Sequence, residues 1–289
     1  MPELPEVETV KRGLEPVLKT RVIERVELRR AGLRFAFPEG FATRLAGLQV
    51  ARLSRRAKYI LVEFDGSLSL LVHLGMTGRF TVLSPKGVSN LGEFYFEAGA
   101  GEGADGPHDH VVFYLQDGIR LVYSDPRRFG MMDLLVTAEA AQHRLLKDLG
   151  VEPLGNALSA SYLSAKFKGK AAPMKAALLD QRIIAGLGNI YVCEALFRAK
   201  ISPKRKAGSV KLAQLDELVR HIRDILNDAI LAGGSTLQDF QSTNGEQGSY
   251  QQRFQAYGRE GEPCVTCGKP IKRMVQSGRS SFYCASCQR

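Results

Sequence analysis

The stretch that most restricts how this chain can fold is Cys264-x2-Cys267-x16-Cys284-x2-Cys287. Two close cysteine pairs separated by a spacer of this length fit a tetrahedral zinc site. Between the pairs, PIKRMVQ and RSSFYC flank Ser277-Gly278, which reads as a hairpin turn. The pattern is that of a zinc ribbon, residues 259–289, with one structural Zn2+ closed off by Cys264, Cys267, Cys284 and Cys287. Two disulfides are the alternative, and a reducing cytoplasm disfavours them. The metal would hold the hairpin tip, and Arg279 on it, in a fixed place. Cys193, the odd cysteine, lies in an apolar helical run and reads as an inert buried thiol.

The 289 residues suit two domains, and no run of eighteen apolar residues or signal-peptide pattern is present. The expectation is a cytoplasmic protein without a membrane partner. Residues 1–149 carry 20 Lys+Arg against 19 Asp+Glu, and residues 150–289 carry 20 against 11, so the second half holds +9 of the net +10. A basic half beside a neutral one points to a polyanion, most often nucleic acid.

Along the chain, residues 5–14 read as an amphipathic helix on Val7, Val10 and Leu14, ended or weakened by Gly13 and Pro16. Strand-like runs follow at 21–30, 48–53, 59–64, 68–74, 79–83, 94–97, 110–115, 119–123 and 131–136. Asp65-Gly66 and Asp117-Gly118 read as tight hairpins. Many short strands with regular turns suggest a sandwich or barrel. Residues 84–107, with six glycines, read as a surface loop. Helical periods then appear at 139–149, 159–166, 173–180 and 189–199. The strongest spans 210–231, with Leu212, Leu215, Leu218, Val219, Ile222, Ile225, Leu226, Ala229 and Ile230 on one face and Gly233-Gly234 as the stop. Residues 241–262 read as another loop.

Several stretches carry candidate chemistry. MPELPEVET puts Pro2 behind a removable methionine. A free Pro2 nitrogen would be a secondary amine able to attack an aldehyde and give an iminium. Glu3 and Glu6 stand beside it as proton carriers, although Pro and acids also simply start helices. SDPRRFG at 124–130 offers two arginines and Phe129, either to nucleic acid or as a surface turn with Phe129 in the core. Ala185-Gly186-Leu187-Gly188-Asn189 leads into a helix, as phosphate-binding turns and ordinary caps both do. Lys58 opens an apolar strand in RRAKYIL, and His73 and Met76 close one in HLGMTGR. His108-Asp109-His110 lacks a third ligand and is a weak metal candidate.

Together, MPELPEVET, RRAKYIL, HLGMTG, HDH, DPRRFG, GLGNIY and the four cysteines resemble, in this order and over the full length, the bacterial formamidopyrimidine-DNA glycosylases. The resemblance implies an α+β fold. An N-terminal β-sandwich catalytic domain with the N-terminal helix (1–136) would lead through a linker (137–153) to a helix-two-turn-helix domain (154–240). A loop over the lesion (241–258) and the zinc finger (259–289) would follow. It implies a monomer that excises oxidised purines from damaged double-stranded DNA and then nicks the strand, with no organic cofactor. By resemblance Pro2 is the nucleophile, Glu3 the proton donor, Lys58 the β-elimination residue and Arg279 the δ-elimination residue. His108, Arg127, Lys170 and Asn189 match DNA-binding positions. Met76, Arg127 and Phe129 match residues that fill the void left by a flipped base, and His73 and Glu6 join the DNA-contact set. An endonuclease VIII-like enzyme is the nearest rival, and Leu4 with PEVET argues against it. A binding module without turnover has no use for Pro2, Glu3 and Lys58 together.

Overall fold

The computed structural model describes residues 1–84, 87–91, 106–235 and 249–289. They form two compact units: residues 1–147 with 232–249, and residues 148–231 with 250–289.

The first unit begins with helix α1, Leu4–Leu18. It buries Val7, Val10, Leu14 and Leu18, a 3.6-residue stripe, in the core of the unit. The helix was expected to stop near Gly13 or Pro16, yet it runs through both. Pro16 lies in the final turn, where only one helical bond is lost, and burial of Leu14 and Leu18 on either side outweighs that loss. Strand β1 (Ile23–Leu28) follows, then a short helix α2 (Phe41–Leu45) that the sequence reading missed. Its five residues are too few to show a period, and it is held by burial of Phe41 and Leu45.

Strands β2 (Val50–Arg56), β3 (Tyr59–Phe64), β4 (Leu68–His73) and β9 (Met131–Val136) make a four-stranded antiparallel sheet in that order. Strands β5 (Arg79–Ser84), β6 (Gly87–Leu91), β7 (Asp109–Leu115) and β8 (Arg120–Ser124) join β1 in a five-stranded sheet ordered β1-β7-β8-β5-β6. One core joins the inward faces of both sheets: Ile60, Val62, Leu70 and Val72 from one, Phe80, Phe113, Leu121 and Tyr123 from the other. That is the expected sandwich. Asp117 and Gly118 both have positive φ (71° and 70°), as the expected tight hairpin requires. Residues 87–91, read as loop, are an edge strand paired with β5. The strand expected at 94–97 lies outside the described residues. The helix expected over 139–149 is instead a 3-10 segment, Thr137–Gln142, followed by turns. Asp133 on β9 accepts from Arg144 at 2.9 Å and lies 3.3 Å from His143, pulling the chain back onto the sheet before a helix can propagate.

The second unit holds α3 (Ala160–Phe167), α4 (Met174–Leu179), α5 (Asn189–Arg198) and α6 (Leu212–Leu231), and the hairpin β10 (Lys272–Gln276) and β11 (Arg279–Tyr283). Helix α5 is buried from Asn189 to Phe197 and packs against α4, α6 and β11. The apolar face of α6 is as expected except at Leu212, which stands 56% exposed in the first turn. Residues 236–248, which include 241–248 of the expected lesion loop, are outside the described set, and Tyr250–Arg253 of that loop form a 3-10 turn. No described helix is long and apolar enough to cross a membrane.

Candidate active site

Pro2 and Glu3 sit at the start of α1 and are buried, Glu3 to 4% exposure. Glu3 is the N-cap, and its backbone N–H donates to Glu6 Oε2 at 2.9 Å in a capping box. The other Glu6 oxygen accepts from the backbone N–H and the hydroxyl of Ser235, at 2.8 and 2.9 Å. Glu6 was expected among the DNA contacts. In the structure it is buried, and both carboxylate oxygens are engaged inside the protein. It fixes the turn that carries Pro2 and Glu3, and ties residues 234–235 to it.

Lys58 lies at the β2–β3 turn, next to Ala57, whose φ of 53° makes the reversal tight. Arg55 clamps this turn to α1, donating to Glu8 at 2.9 Å and to the Ala57 carbonyl at 2.9 Å. Lys58 is itself buried, at 8% exposure. The register pairs its neighbour Tyr59 with His73, and their rings stand 4.9 Å apart. Burial, then the charges of Lys58 and Arg34, push the His73 imidazole down to about 4. The ring is therefore neutral at physiological pH. Its Nδ1 accepts from the Gly75 N–H at 3.0 Å, which leaves Nε2–H as a donor.

Two loops meet beside this strand end. Residues 125–130 wrap around Asp125, which is fully buried. Its carboxylate accepts from the Thr77 hydroxyl and from the Gly130 N–H (2.7 Å). Its carbonyl accepts from the Arg128 N–H (3.1 Å) and from His110 Nε2 (2.9 Å). Arg128 takes a left-handed φ of 57°, and the Arg127 N–H donates back to Thr77 at 3.2 Å. The result presents Arg127, Arg128 and Phe129 outward. Phe129 is 44% exposed, so it is not a core residue, and the Arg127 guanidinium lies 4.8 Å from its ring centre. The Met76 loop is pressed onto the same turn: a Cβ on Gly75 would stand 2.4 Å from backbone atoms of Phe129 and Gly130. Met76 and Phe129, far apart in sequence, are thus carried by one packed double loop. Of the HDH triplet, His108 is exposed while His110 is buried against Asp125, so the two imidazoles serve different surroundings.

In the second unit, Arg279 is exposed on the hairpin and Lys170 is exposed after α3. Asn189 opens α5 and donates to the Ser280 carbonyl at 3.0 Å, leaving its second amide hydrogen uncommitted to that bond. The glycine turn before it is held by Gln181, which accepts from the Gly186 N–H and donates to the Leu187 carbonyl, both at 2.8 Å. The four cysteine sulfurs all lie within 4.8 Å of one another, with pairs at 3.5 and 3.9 Å. Disulfide sulfurs would be about 2.05 Å apart. A tetrahedron with Zn–S of about 2.3 Å has edges of about 3.8 Å, so the donor set fits zinc. Among the described residues this is the single group of ligand type.

Sequence reasoning missed Asp125, Lys175 and Glu194. Glu194 is fully buried in α5 and accepts from the backbone N–H groups of Gln255, Ala256 and Tyr257 at 2.8–3.0 Å; burial raises its pKa despite those bonds. Its signal was present: one acid inside the apolar run IYVCEALF.

The model described as the formamidopyrimidine-DNA glycosylase N-terminal domain matches residues 1–132. The H2TH domain of the same family matches 149–241, and a zinc finger found in FPG and IleRS matches 261–289. Formamidopyrimidine-DNA glycosylase of Ruegeria pomeroyi is 54% identical over 291 residues, and that of Rhizobium johnstonii 52% over 300, each covering 100% of both chains. Among solved structures, the MutM (FPG) protein of Thermus thermophilus is 37% identical with a TM-score of 0.83, covering 99% of this chain and 98% of that one. Lactococcus lactis Fpg in complex with abasic-site DNA is 30% identical with a TM-score of 0.87, covering 100% of both. Similar over its full length to relatives that share more than half its residues, the chain belongs to the formamidopyrimidine-DNA glycosylase family.

Proposed function

We propose that the protein is a bifunctional DNA glycosylase and AP lyase of base excision repair, acting on 8-oxoguanine and formamidopyrimidines in duplex DNA. The observation that carries this reading is the buried start of α1. Pro2 and Glu3 are locked by the Glu3–Glu6–Ser235 network, in the same unit as the buried Lys58. A helix start that served folding alone would not need a second acid braced from behind, and a lysine in a β-turn is ordinarily exposed, whereas Lys58 is buried. Lactococcus lactis Fpg has been solved with Fapy-dG DNA and with abasic-site DNA, which supports the same substrate class here.

The damaged nucleotide must leave the stack, because C1′ is inaccessible within it. Met76, Arg127 and Phe129, on their double loop, fill the space it vacates. His108, Lys170, Asn189 and neutral His73 donate to phosphates. With Met1 removed, the Pro2 nitrogen is a secondary amine. It attacks C1′, the base departs and takes up a proton, and Glu3 protonates the sugar ring oxygen as the ring opens to an iminium. That cation acidifies the C2′ proton. Lys58 serves this β-elimination, in which the 3′ phosphate leaves. Arg279 serves the second elimination, which expels the 5′ phosphate. Zinc, when bound, supplies structure to the ribbon and no chemistry.

Borohydride added during reaction with abasic-site duplex should reduce the iminium and join protein to DNA, with peptide mapping placing the link on the Pro2 nitrogen. A variant that retains Met1 should bind DNA yet form no adduct, because an amide nitrogen is not nucleophilic. Undiminished cleavage by that variant, or a link at Lys58, would overturn the mechanism. Preference for oxidised pyrimidines on single-lesion duplexes would move the substrate to the endonuclease VIII class.

A further inference from the structure

Two neighbouring loops of the second unit carry charge that no acid answers. Residues 165–175 hold four lysines, residues 200–211 hold four lysines and Arg205, and neither stretch contains Asp or Glu. Lys168, Lys170, Lys204 and Lys206 are exposed, and none of the four forms an ion pair with another described residue. Asp180 has its pKa lowered by hydrogen bonding to Arg182 first and by the Lys170 charge last, and its carboxylate pairs with Arg182 at 2.9 Å. Like charges gathered in this way repel one another and cost stability unless an anion answers them.

The backbone holds the two loops together. The Met174 N–H donates to the Arg205 carbonyl at 2.7 Å, the Ala207 N–H to the Ala172 carbonyl at 2.9 Å and the Gly208 N–H to the Lys170 carbonyl at 3.0 Å. Pro173 and Lys206 face each other in an antiparallel bridge. A Cβ on Gly208 would stand 2.9 Å from the Phe167 carbonyl oxygen and 3.1 Å from the Lys170 backbone, so the close approach depends on glycine. The Arg205 guanidinium is engaged internally, donating to the Ser209 carbonyl at 2.9 Å. The ammonium of Lys204 lies 5.1 Å from the ring centre of Tyr283, the last residue of β11. The ridge thus runs from the Lys170 turn past Lys206 to the metal end of the hairpin, roughly 14 Å along the strand from Arg279 at the turn.

We propose that loop 203–211 is a binding element for the flank of the duplex: Lys204 and Lys206, aligned by the ladder with Lys168 and Lys170, hold backbone phosphates beyond the damaged nucleotide and its neighbours. Lysine binds phosphate as a point charge, so these contacts add affinity without preference for sequence or lesion. Their place on hydrogen-bonded backbone means that little loop ordering is lost on binding. The inference rests on the reading of this protein as an enzyme of duplex DNA, with Lys170 on a phosphate, and on none of the catalytic assignments.

The test uses the complete, zinc-loaded chain. Affinity is measured across a salt series for a short duplex with one central abasic-site analogue, and for the same duplex extended on one side or the other. Wild type should bind one of the extended duplexes more tightly than the short one. Lys204→Gln combined with Lys206→Gln should abolish that gain and make the log–log salt slope shallower by about 2 on that extended duplex. Lys204→Arg with Lys206→Arg should keep both. Single-turnover base release from saturated 8-oxoguanine duplex should stay within about twofold of wild type, because phosphates far from the reaction are held equally in ground and transition states. Lys19→Gln with Arg44→Gln removes the same charge from exposed sites elsewhere and should keep the gain and the slope. Gly208→Ala alters no charge but parts the loops, and should lose some of the gain. A gain and slope in the Lys204/Lys206 variant equal to wild type, or losses matched by the Lys19/Arg44 variant, overturn the proposal. Full retention by Gly208→Ala overturns the alignment by the ladder. Wild-type binding indifferent to salt on every duplex overturns instead the reading of a duplex-DNA enzyme on which the loop's role depends.

Discussion

At the scale of single residues, Gly75 and His73 show how backbone and charge are set for the site. Gly75 has φ of 65°, and any Cβ there would overlap Phe129 and Gly130 backbone atoms at 2.4 Å. No flexible side chain is available to yield. Gly75→Ala should destabilise the first unit by about 2–4 kcal/mol, combining left-handed strain with overpacking. It should also weaken binding to a paired lesion more than binding to an abasic site, since the displaced loops carry Met76 and Phe129. Denaturant titration and the two affinities check this, and wild-type values in both would show that the loops are not packed as described. His73 adds a pH dependence. Its folded pKa of about 4 is below the ordinary 6.5, so the unfolded chain binds the proton more tightly. The associated stability is complete above pH 6.5 and lost as pH falls toward 4. Between those limits wild type should lose on the order of 2 kcal/mol more than His73→Asn. An imidazole titration near 6.5 by NMR would sink the argument.

At the scale of elements, the decisive contrast is between α1 and the β10–β11 hairpin. Helix α1 carries a broad buried stripe and tolerates Pro16 because packing, not propensity, holds it. The hairpin has little apolar surface of its own to bury: Val275 is 70% exposed and Tyr283 is its one buried apolar side chain, beside a small cluster of Phe197, Ala256, Cys264, Ile271 and Cys284. Its folding energy must come largely from the metal. Zinc chelation should therefore disorder residues 264–287 and abolish strand nicking, while the unit built on residues 1–147 keeps its thermal transition. Normal nicking by protein that elemental analysis shows to be metal-free would refute a functional ribbon.

For the whole molecule, charge is the property that matters. The excess of +9 in residues 150–289 includes exposed Lys168, Lys170, Lys204, Lys206 and Arg279. Displacement of counterions by several such groups makes affinity fall steeply with salt. Binding to undamaged duplex should follow a log–log slope of about −4 or steeper. A flat plot across the salt series is the outcome that this reading forbids.

The sequence alone determined the periods and the covalent logic. Strand-like runs set off by turn residues placed eight strands and 3.6-residue spacing placed α3 to α6, because those signals are local to a few residues or turns. The cysteine spacing defined the ribbon, and the order of motifs carried the family. What only the tertiary structure decided is which side chains are occupied. Glu6 reads like a free acid until Ser235, 229 positions away, is found on it. Phe129 was balanced between core and surface until Asp125 was seen to turn its loop outward. Lys175 looks like any lysine in a short helix until it is found buried against a hairpin more than 100 positions later. Helix at 139–149 failed for the same reason, since Asp133 on a neighbouring strand competes for His143 and Arg144. Periodicity reports which face of an element is buried, whereas hydrogen-bond partners distant in sequence leave no periodic trace. The main strands and helices were therefore legible from local pattern, the short elements α2 and β6 were not, and neither was the bracing of the site.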